Sequence, residues 1–217
     1  MKDGRLVIGN KRYSSWSLRG WLAVQLAGLD VDVSVVPLAG GSTAEIKRLT
    51  PSGTVPYLEH GDARVWESLA ILEYCAEFAP ALWPADRAAR AAARSIASEM
   101  HAGFRELRMA MPMNILREFP GQRRTDGALA DIARIEAIWA GSLAAHGGPF
   151  LFGAAMTGAD IMFAPVVCRF LTWQPELSET SKAYVAAVRA HPLMERWYAD
   201  AATEPSEWLL DKYENPA

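Results

Sequence analysis

Four short stretches hold side chains whose types and spacing could do chemistry or anchor it. Tyr13-Ser14-Ser15-Trp16-Ser17 places hydroxyls just ahead of an apolar periodic segment, where a helix would begin. A hydroxyl there can cap orphan N–H groups. The same geometry can hold an anion, because the helix N-terminus carries partial positive charge and a hydroxyl can donate to a thiolate. A free thiol titrates near 8.5, so a drop of about one or two units makes the thiolate dominant at neutral pH. Gly53-Thr54-Val55-Pro56-Tyr57 puts a proline at the entry to a strand. Proline removes a ladder donor, so the position is either an edge or a special bend. A cis Val55–Pro56 bond would leave the Val55 N–H and C=O to pair with an extended peptide. Trp66-Glu67-Ser68 precedes an apolar helix. Ser68 there could hold a carboxylate and Glu67 an ammonium, or the pair could simply cap the helix. Thr157-Gly158-Ala159-Asp160 has the spacing of a capping box, and the structural reading is preferred there.

These stretches need elements to position them. Arg5–Gly9 reads as a first strand. The segment after the serines repeats apolar residues at Leu18, Trp21, Leu22 and Leu26, a helical period, and Gly28 is a natural stop. Val31–Val36 alternates as a half-buried strand does, and Pro37 ends it. This β-α-β order favours a parallel pair with a right-handed crossover. A loop around Gly40–Gly41 leads to a short helix at Ala44–Leu49. Tyr57–Glu59 and Ala63–Trp66 flank His60-Gly61-Asp62 as a hairpin, and Ser68 opens the next helix. Pro80–Asp86 holds two prolines and reads as a linker. Beyond it the pattern is helical throughout. One long segment spans Arg87 to Phe119 with a break expected at Pro112, and another spans Asp126–Ala145. Further helices start near Thr157, near Glu179 and after Pro192. The division is thus residues 1–80, a linker at 81–86, and an all-helical part at 87–217.

The 217 residues can bury a sizeable core, and 51% are apolar, which argues against disorder. A formal charge of -3 gives no electrostatic footprint for nucleic acid. No apolar run reaches bilayer-spanning length, and the first residues lack a signal-peptide core. The expectation is a soluble, cytoplasmic protein without a nucleic-acid or membrane partner. Cys75 and Cys168 belong to no C-x-x-C pair and read as buried reduced thiols. His60, His101, His146 and His191 show no metal-ligand spacing, so no metal is expected.

Taken in order, SSWSLR, the Lys47–Leu49 segment, SGTVPYL, ESLAILEYC, TGADIMFAP and HPLMERWY resemble the cytosolic glutathione transferase family along essentially the whole chain. The resemblance implies a thioredoxin-like α/β N-terminal domain and an all-α C-terminal helical bundle domain. It implies glutathione as co-substrate, bound by Ser14, Lys47, Val55, cis Pro56, Glu67 and Ser68, with a small electrophile as the second partner and a homodimer as the assembly. SSWSLR is most similar to the serine-type members, above all the zeta class. That resemblance implies Ser14 as thiol activator, Ser15 next and Tyr13 third. Trp16 stands in the place of the zeta cysteine and Trp21 in that of an arginine. These departures weaken transfer of the zeta-class isomerisation of maleylacetoacetate. The alternatives to a conjugating transferase are such an isomerase and a non-catalytic ligand-binding or interaction protein on the same fold.

The second-substrate pocket is expected between the two parts, where ligand sites commonly form. Trp16 would stand at its mouth and Ser98–Asn114 would form a wall. Met100, Phe104, Arg108 and Met111 recur there at helical spacing. The methionines and Phe104 could equally belong to the core. His101, Arg105 and Arg108 would favour an anionic substrate or glutathione's glycine carboxylate if they face the cleft, and a solvated helix face otherwise.

Overall fold

The structure, a computed structural model, describes residues 2–39 and 43–216, so the predicted loop around Gly40–Gly41 lies outside the described residues. The chain begins with β1 (Gly4–Gly9), α1 (Ser15–Leu26), β2 (Asp32–Val36) and α2 (Ala44–Leu49). It continues through β3 (Tyr57–His60), β4 (Ala63–Trp66) and α3 (Ser68–Phe78). The strand order is β2-β1-β3-β4. β1 pairs in parallel with β2, Leu6 opposite Val33, and antiparallel with β3, Leu6 opposite Leu58. β1, a central strand, is buried on both faces along Leu6–Gly9, which is why it reads as an unbroken apolar run, whereas β2 and β4 alternate with exposed residues. Leu6 and Ile8 point into the main core with Leu18, Trp21 and Ile71. Val7, one residue out of phase, enters a second small core with Val36, Ile46 and Tyr57.

From Arg87 onward the described elements are helical: α4 (Arg87–Ala102), α5 (Arg105–Ala110), α6 (Asp126–His146), α7 (Gly158–Trp173), α8 (Glu179–Arg189), α9 (Pro192–Ala202) and a last short turn, α10 (Asp211–Glu214). The segment breaks at Pro112 as expected, α5 ending at Ala110, and breaks a second time at Gly103–Phe104. Phe104 adopts the left-handed conformation, φ 58°. A Cβ at Gly103 would stand 2.8 Å from the Glu99 carbonyl oxygen, so only glycine fits the turn between α4 and α5. The helix of α7 is buried along nearly its whole length and packs on α1, α4 and α8. Trp139 of α6 meets Phe163, Phe170 and Tyr184 with ring centroids 5.8, 5.5 and 4.6 Å away. Trp21 of α1 meets Trp197 of α9 at 5.2 Å, so the sheet-bearing and helical parts share one apolar core.

Both cysteines are buried and free, and burial pushes their thiols up, Cys75 to about 12 and Cys168 to about 11. No group of three or more metal-ligating side chains occurs among the described residues, and no helix among them is long and apolar enough to cross a membrane.

Candidate active site

The turn after β1 delivers Ser14 as the N-cap of α1. Asn10 shapes that turn, its carbonyl accepting the Ser14 N–H at 2.9 Å. Ser14 Oγ accepts from the Ser17 N–H at 3.3 Å and donates to Ser17 Oγ at 2.7 Å. Ser17 Oγ also accepts the Gly9 N–H at 2.9 Å, so the cap is tied back to the end of the strand. Ser15 begins the helix, and its Oγ accepts from Arg169 Nη2 of α7 at 3.4 Å. Ser14 and Ser15 are both nearly buried, yet both line a cavity of about 310 Å³ together with Trp16, Val55, Arg108 and Arg169.

Three guanidiniums converge behind this cavity. Two of them approach the Trp16 ring, Arg108 at 4.6 Å and Arg19 at 4.8 Å. Arg19 Nε donates to the Met162 carbonyl of α7 at 2.8 Å. Arg169 Nη1 donates to the Pro165 carbonyl at 3.2 Å. Arg108 donates to the Met100 and His101 carbonyls at the end of α4. Among the described residues no ion pair holds any of the three. Arg19 Nη2, Arg108 Nε and Arg169 Nε are buried without a hydrogen-bond partner. Burial, and then the neighbouring guanidiniums, hold Arg19 well below the usual arginine range and Arg169 down to about 10. Burial lowers Arg108 too, against the opposing pull of Asp131. Arg108 and Arg169 thus bring positive charge to the cavity lining with no ion pair among the described residues.

Residues 13–77 match the family model of the glutathione S-transferase N-terminal domain. Glutathione S-transferase 1 of Dianthus caryophyllus is 30% identical over 163 residues, 73% of this chain and 73% of that protein. The chain belongs to the glutathione S-transferase family. The maleylacetoacetate isomerase of Rattus norvegicus is 29% identical over 198 residues, covering 86% of this chain and 90% of that protein. The solved maleylacetoacetate isomerase from Anaeromyxobacter dehalogenans, with dicarboxyethyl glutathione and citrate in its active site, superposes with a TM-score of 0.66. It is 26% identical and covers 95% of this chain and 96% of that one. The family is one of glutathione-dependent enzymes, and the similarity has a zeta-like component.

Of the residues expected at the site of this transferase-family chain, Tyr13, Ser14, Ser15, Trp16, Val55 and Arg108 share the cavity. The Val55–Pro56 bond is cis, as the resemblance implies. Pro56 is buried beneath it against Gly20 of α1, where a Cβ would come within 2.8 Å of the proline ring. Lys47, exposed on α2, and Glu67 and Ser68, at the start of α3, lie outside the cavity lining. Ser68 is buried, and its Oγ has no hydrogen-bond partner among the described residues. Glu67 holds φ 69°, a conformation rare outside glycine and common at ligand clamps. Its carboxylate lies 3.8 Å from His101 Nε2. Met100, Phe104 and Met111 do not reach the cavity. They pack into the main core, because the turn at Gly103–Phe104 breaks the helical stripe that would have aligned them. His101 packs edge-on to Trp16 at 5.3 Å, and Arg105 is exposed.

Tyr13, the third activator candidate, has its hydroxyl engaged elsewhere. It donates to Glu214 at 2.5 Å and accepts from the Leu210 N–H at 3.2 Å. Burial, reinforced by the hydrogen bond to Glu214, pushes it up to about 12. Arg19, Arg169 and Tyr213 carry no local sequence signal that marks them as neighbours of the cavity. Arg169 shows only as a lone arginine inside the apolar run of α7, a position where an unpaired charge is rare.

Proposed function

We propose that the chain binds glutathione along the cis Val55–Pro56 edge and stabilises its thiolate with the Ser14 hydroxyl. The thiolate then attacks a small electrophile whose anionic group faces Arg108 and Arg169. The observation that carries this reading is the meeting of Ser14, Ser15, Val55 and two guanidiniums on one cavity. Ser14 already donates to Ser17. Turning that proton toward a thiolate keeps the cap, because Ser17 can donate back to Ser14. Val55 would pair with the peptide backbone, Ser68 Oγ would take the γ-glutamyl carboxylate, Glu67 the ammonium, and Lys47 the far end. The partnerless Ser68 hydroxyl supports its assignment.

The reaction is transfer of an alkyl or aryl group to glutathione. A second reading, isomerisation of a dicarboxylate of the maleylacetoacetate type, is favoured by the two guanidiniums on the cavity and by the isomerases among the relatives. Residues 1–80 would act as the glutathione domain, 81–86 as linker and 87–217 as the pocket-forming domain of a cytoplasmic homodimer. Two free buried thiols fit a reducing compartment.

Reduced glutathione should raise the unfolding temperature in a concentration-dependent way. Ser14→Ala should raise the bound thiol's pKa by about one to two units, the worth of one charge-assisted hydrogen bond. An unchanged titration with a shift in Ser15→Ala would move the role to Ser15. An aryl halide assayed against a maleylacetoacetate analogue separates the two reactions. Arg108→Met should depress turnover of the dicarboxylate far more than that of the halide.

A further inference from the structure

Glu214 lies three residues from the end of the sequence, yet it is only 8% exposed. A carboxylate taken out of water costs several kcal/mol unless donors replace its hydration. Four do. Oε1 accepts from Tyr13 Oη at 2.5 Å, Asn114 Nδ2 at 3.0 Å and Arg12 Nη1 at 3.2 Å, and Oε2 accepts from Arg117 Nε at 2.6 Å. Burial raises this carboxyl, but the hydrogen bonds and the Arg12 charge outweigh it and hold it below the usual range, so it is charged at neutral pH.

The donors come from two places that flank the cavity. Arg12 and Tyr13 immediately precede Ser14, and Asn114 and Arg117 follow α5. Asn114 Nδ2 also donates to the Tyr213 carbonyl at 2.9 Å. α10 has four residues and cannot stand on its own helical hydrogen bonds. Its position is therefore set by the Glu214 cluster and by the strap that leads to it. Along that strap Glu204 accepts the Lys11 and Arg12 N–H groups, and Leu210 N–H reaches Tyr13 Oη. The consequence is the placement of Tyr213. Its ring rests 5.3 Å from Tyr13 and forms part of the cavity wall beside Ser14, Ser15 and Arg108.

We propose that Glu214 is a positioning residue: it latches the C-terminal strap across the activating turn and so holds Tyr213 as the wall against which the second substrate packs. This rests on the cavity being the site of the glutathione-dependent reaction. The latch acts on the electrophile through Tyr213 and leaves the thiol to Ser14.

The test uses the full chain with Glu214→Ala, Glu214→Gln and Tyr213→Ala, and reads KM for each substrate, kcat, the pH profile of the bound thiol and trypsin cleavage at Lys212. Glu214→Ala should raise the electrophile's KM by about tenfold, the value of one well-packed aromatic contact. The glutathione KM and the thiol's pH midpoint should stay in place, and Lys212 should become cleavable. Glu214→Gln keeps the oxygen facing Tyr13 and should recover part of the loss. Tyr213→Ala should reproduce the KM rise with the strap still latched, and it carries the test if Glu214→Ala fails to fold. An electrophile KM unchanged in Tyr213→Ala overturns the proposal, as does a thiol midpoint that moves with KM in Glu214→Ala. If wild-type protein shows no thermal shift with reduced glutathione, the underlying functional reading fails instead.

Discussion

Replacing Asp160 with alanine should be among the most damaging single changes in this chain, and the structure allows the cost to be worked out. Asp160 is fully buried at the start of α7. Oδ1 accepts from the Leu151 N–H at 2.9 Å and from Tyr184 Oη at 3.0 Å. Oδ2 accepts from the Thr157 N–H and from Thr157 Oγ1, both at 2.8 Å. Alanine would leave two backbone and two side-chain donors buried without an acceptor, each worth about 1–3 kcal/mol. Part of this is offset, because the carboxyl no longer has to be desolvated; burial is the leading influence on it and leaves it raised. Four unmet buried donors, less the recovered desolvation, put the net cost at about 3–5 kcal/mol, in the upper tail of single-residue effects. For a chain of this size it corresponds to a fall in Tm of roughly 6–20 °C. Tyr184→Phe provides an internal control. In the wild-type background it removes one of four donors and should cost about 1 kcal/mol. In the Asp160→Ala background the hydroxyl is already orphaned, so the same change should cost nothing, a coupling of about 1 kcal/mol. Thermal unfolding of the four proteins, followed by tryptophan fluorescence and repeated in urea, measures both numbers. A Tm drop under about 3 °C for Asp160→Ala, or an equal cost of Tyr184→Phe in both backgrounds, would refute the reasoning. The stakes extend to the site, because α7 carries Arg169 and the Met162 carbonyl that orients Arg19.

Two further outcomes are expected. Gly20→Ala should destabilise the protein by about 1–3 kcal/mol through overpacking against the Pro56 ring, and should weaken glutathione binding by displacing Val55; calorimetric titration with glutathione checks the second effect. His101 is held below its ordinary 6.5, first by burial and then by Arg19 and Arg108 against the pull of Glu67. A lowered folded-state histidine means the unfolded chain takes up the proton first. Stability should therefore be full above about 6.5, fall as the pH drops toward the folded value, and level off below it. Tm recorded from pH 7.5 to 5 should slope less in His101→Gln than in wild type; equal slopes would assign the pH dependence elsewhere.

Local pattern was enough to read most of the element order, because helix and strand periods and their stop signals act over neighbouring residues. The helix at Ala44–Leu49 and the strand at Ala63–Trp66 have the boundaries read from the sequence. Pro192 stands at the first position of α9, where its missing N–H costs nothing. The break at Pro112 is legible in the sequence, and the one at Gly103–Phe104 is not. Proline is a visible breaker, whereas Gly103 matters only through the approach of the Glu99 carbonyl, which the three-dimensional turn creates.

The site divides in the same way. SSWSLR announced a hydroxyl-lined helix N-terminus, and the order of motifs announced the family, because both are carried by residues adjacent in the chain. What surrounds that turn was decided by tertiary packing. Arg169 stands 154 residues from Ser15, and Glu214 stands 201 from Tyr13. Sequence showed Arg169 as one charge in an apolar helix and Glu214 as one of several acids in a polar tail. Only the packing of α7 on α1 makes the first a desolvated cation beside Ser14 and Ser15. Only the return of the chain's end to the first turn makes the second a buried latch. Charge and hydrogen-bonding capacity are properties of a residue, but their energies depend on which distant groups share the same dry space, and that is fixed by the fold.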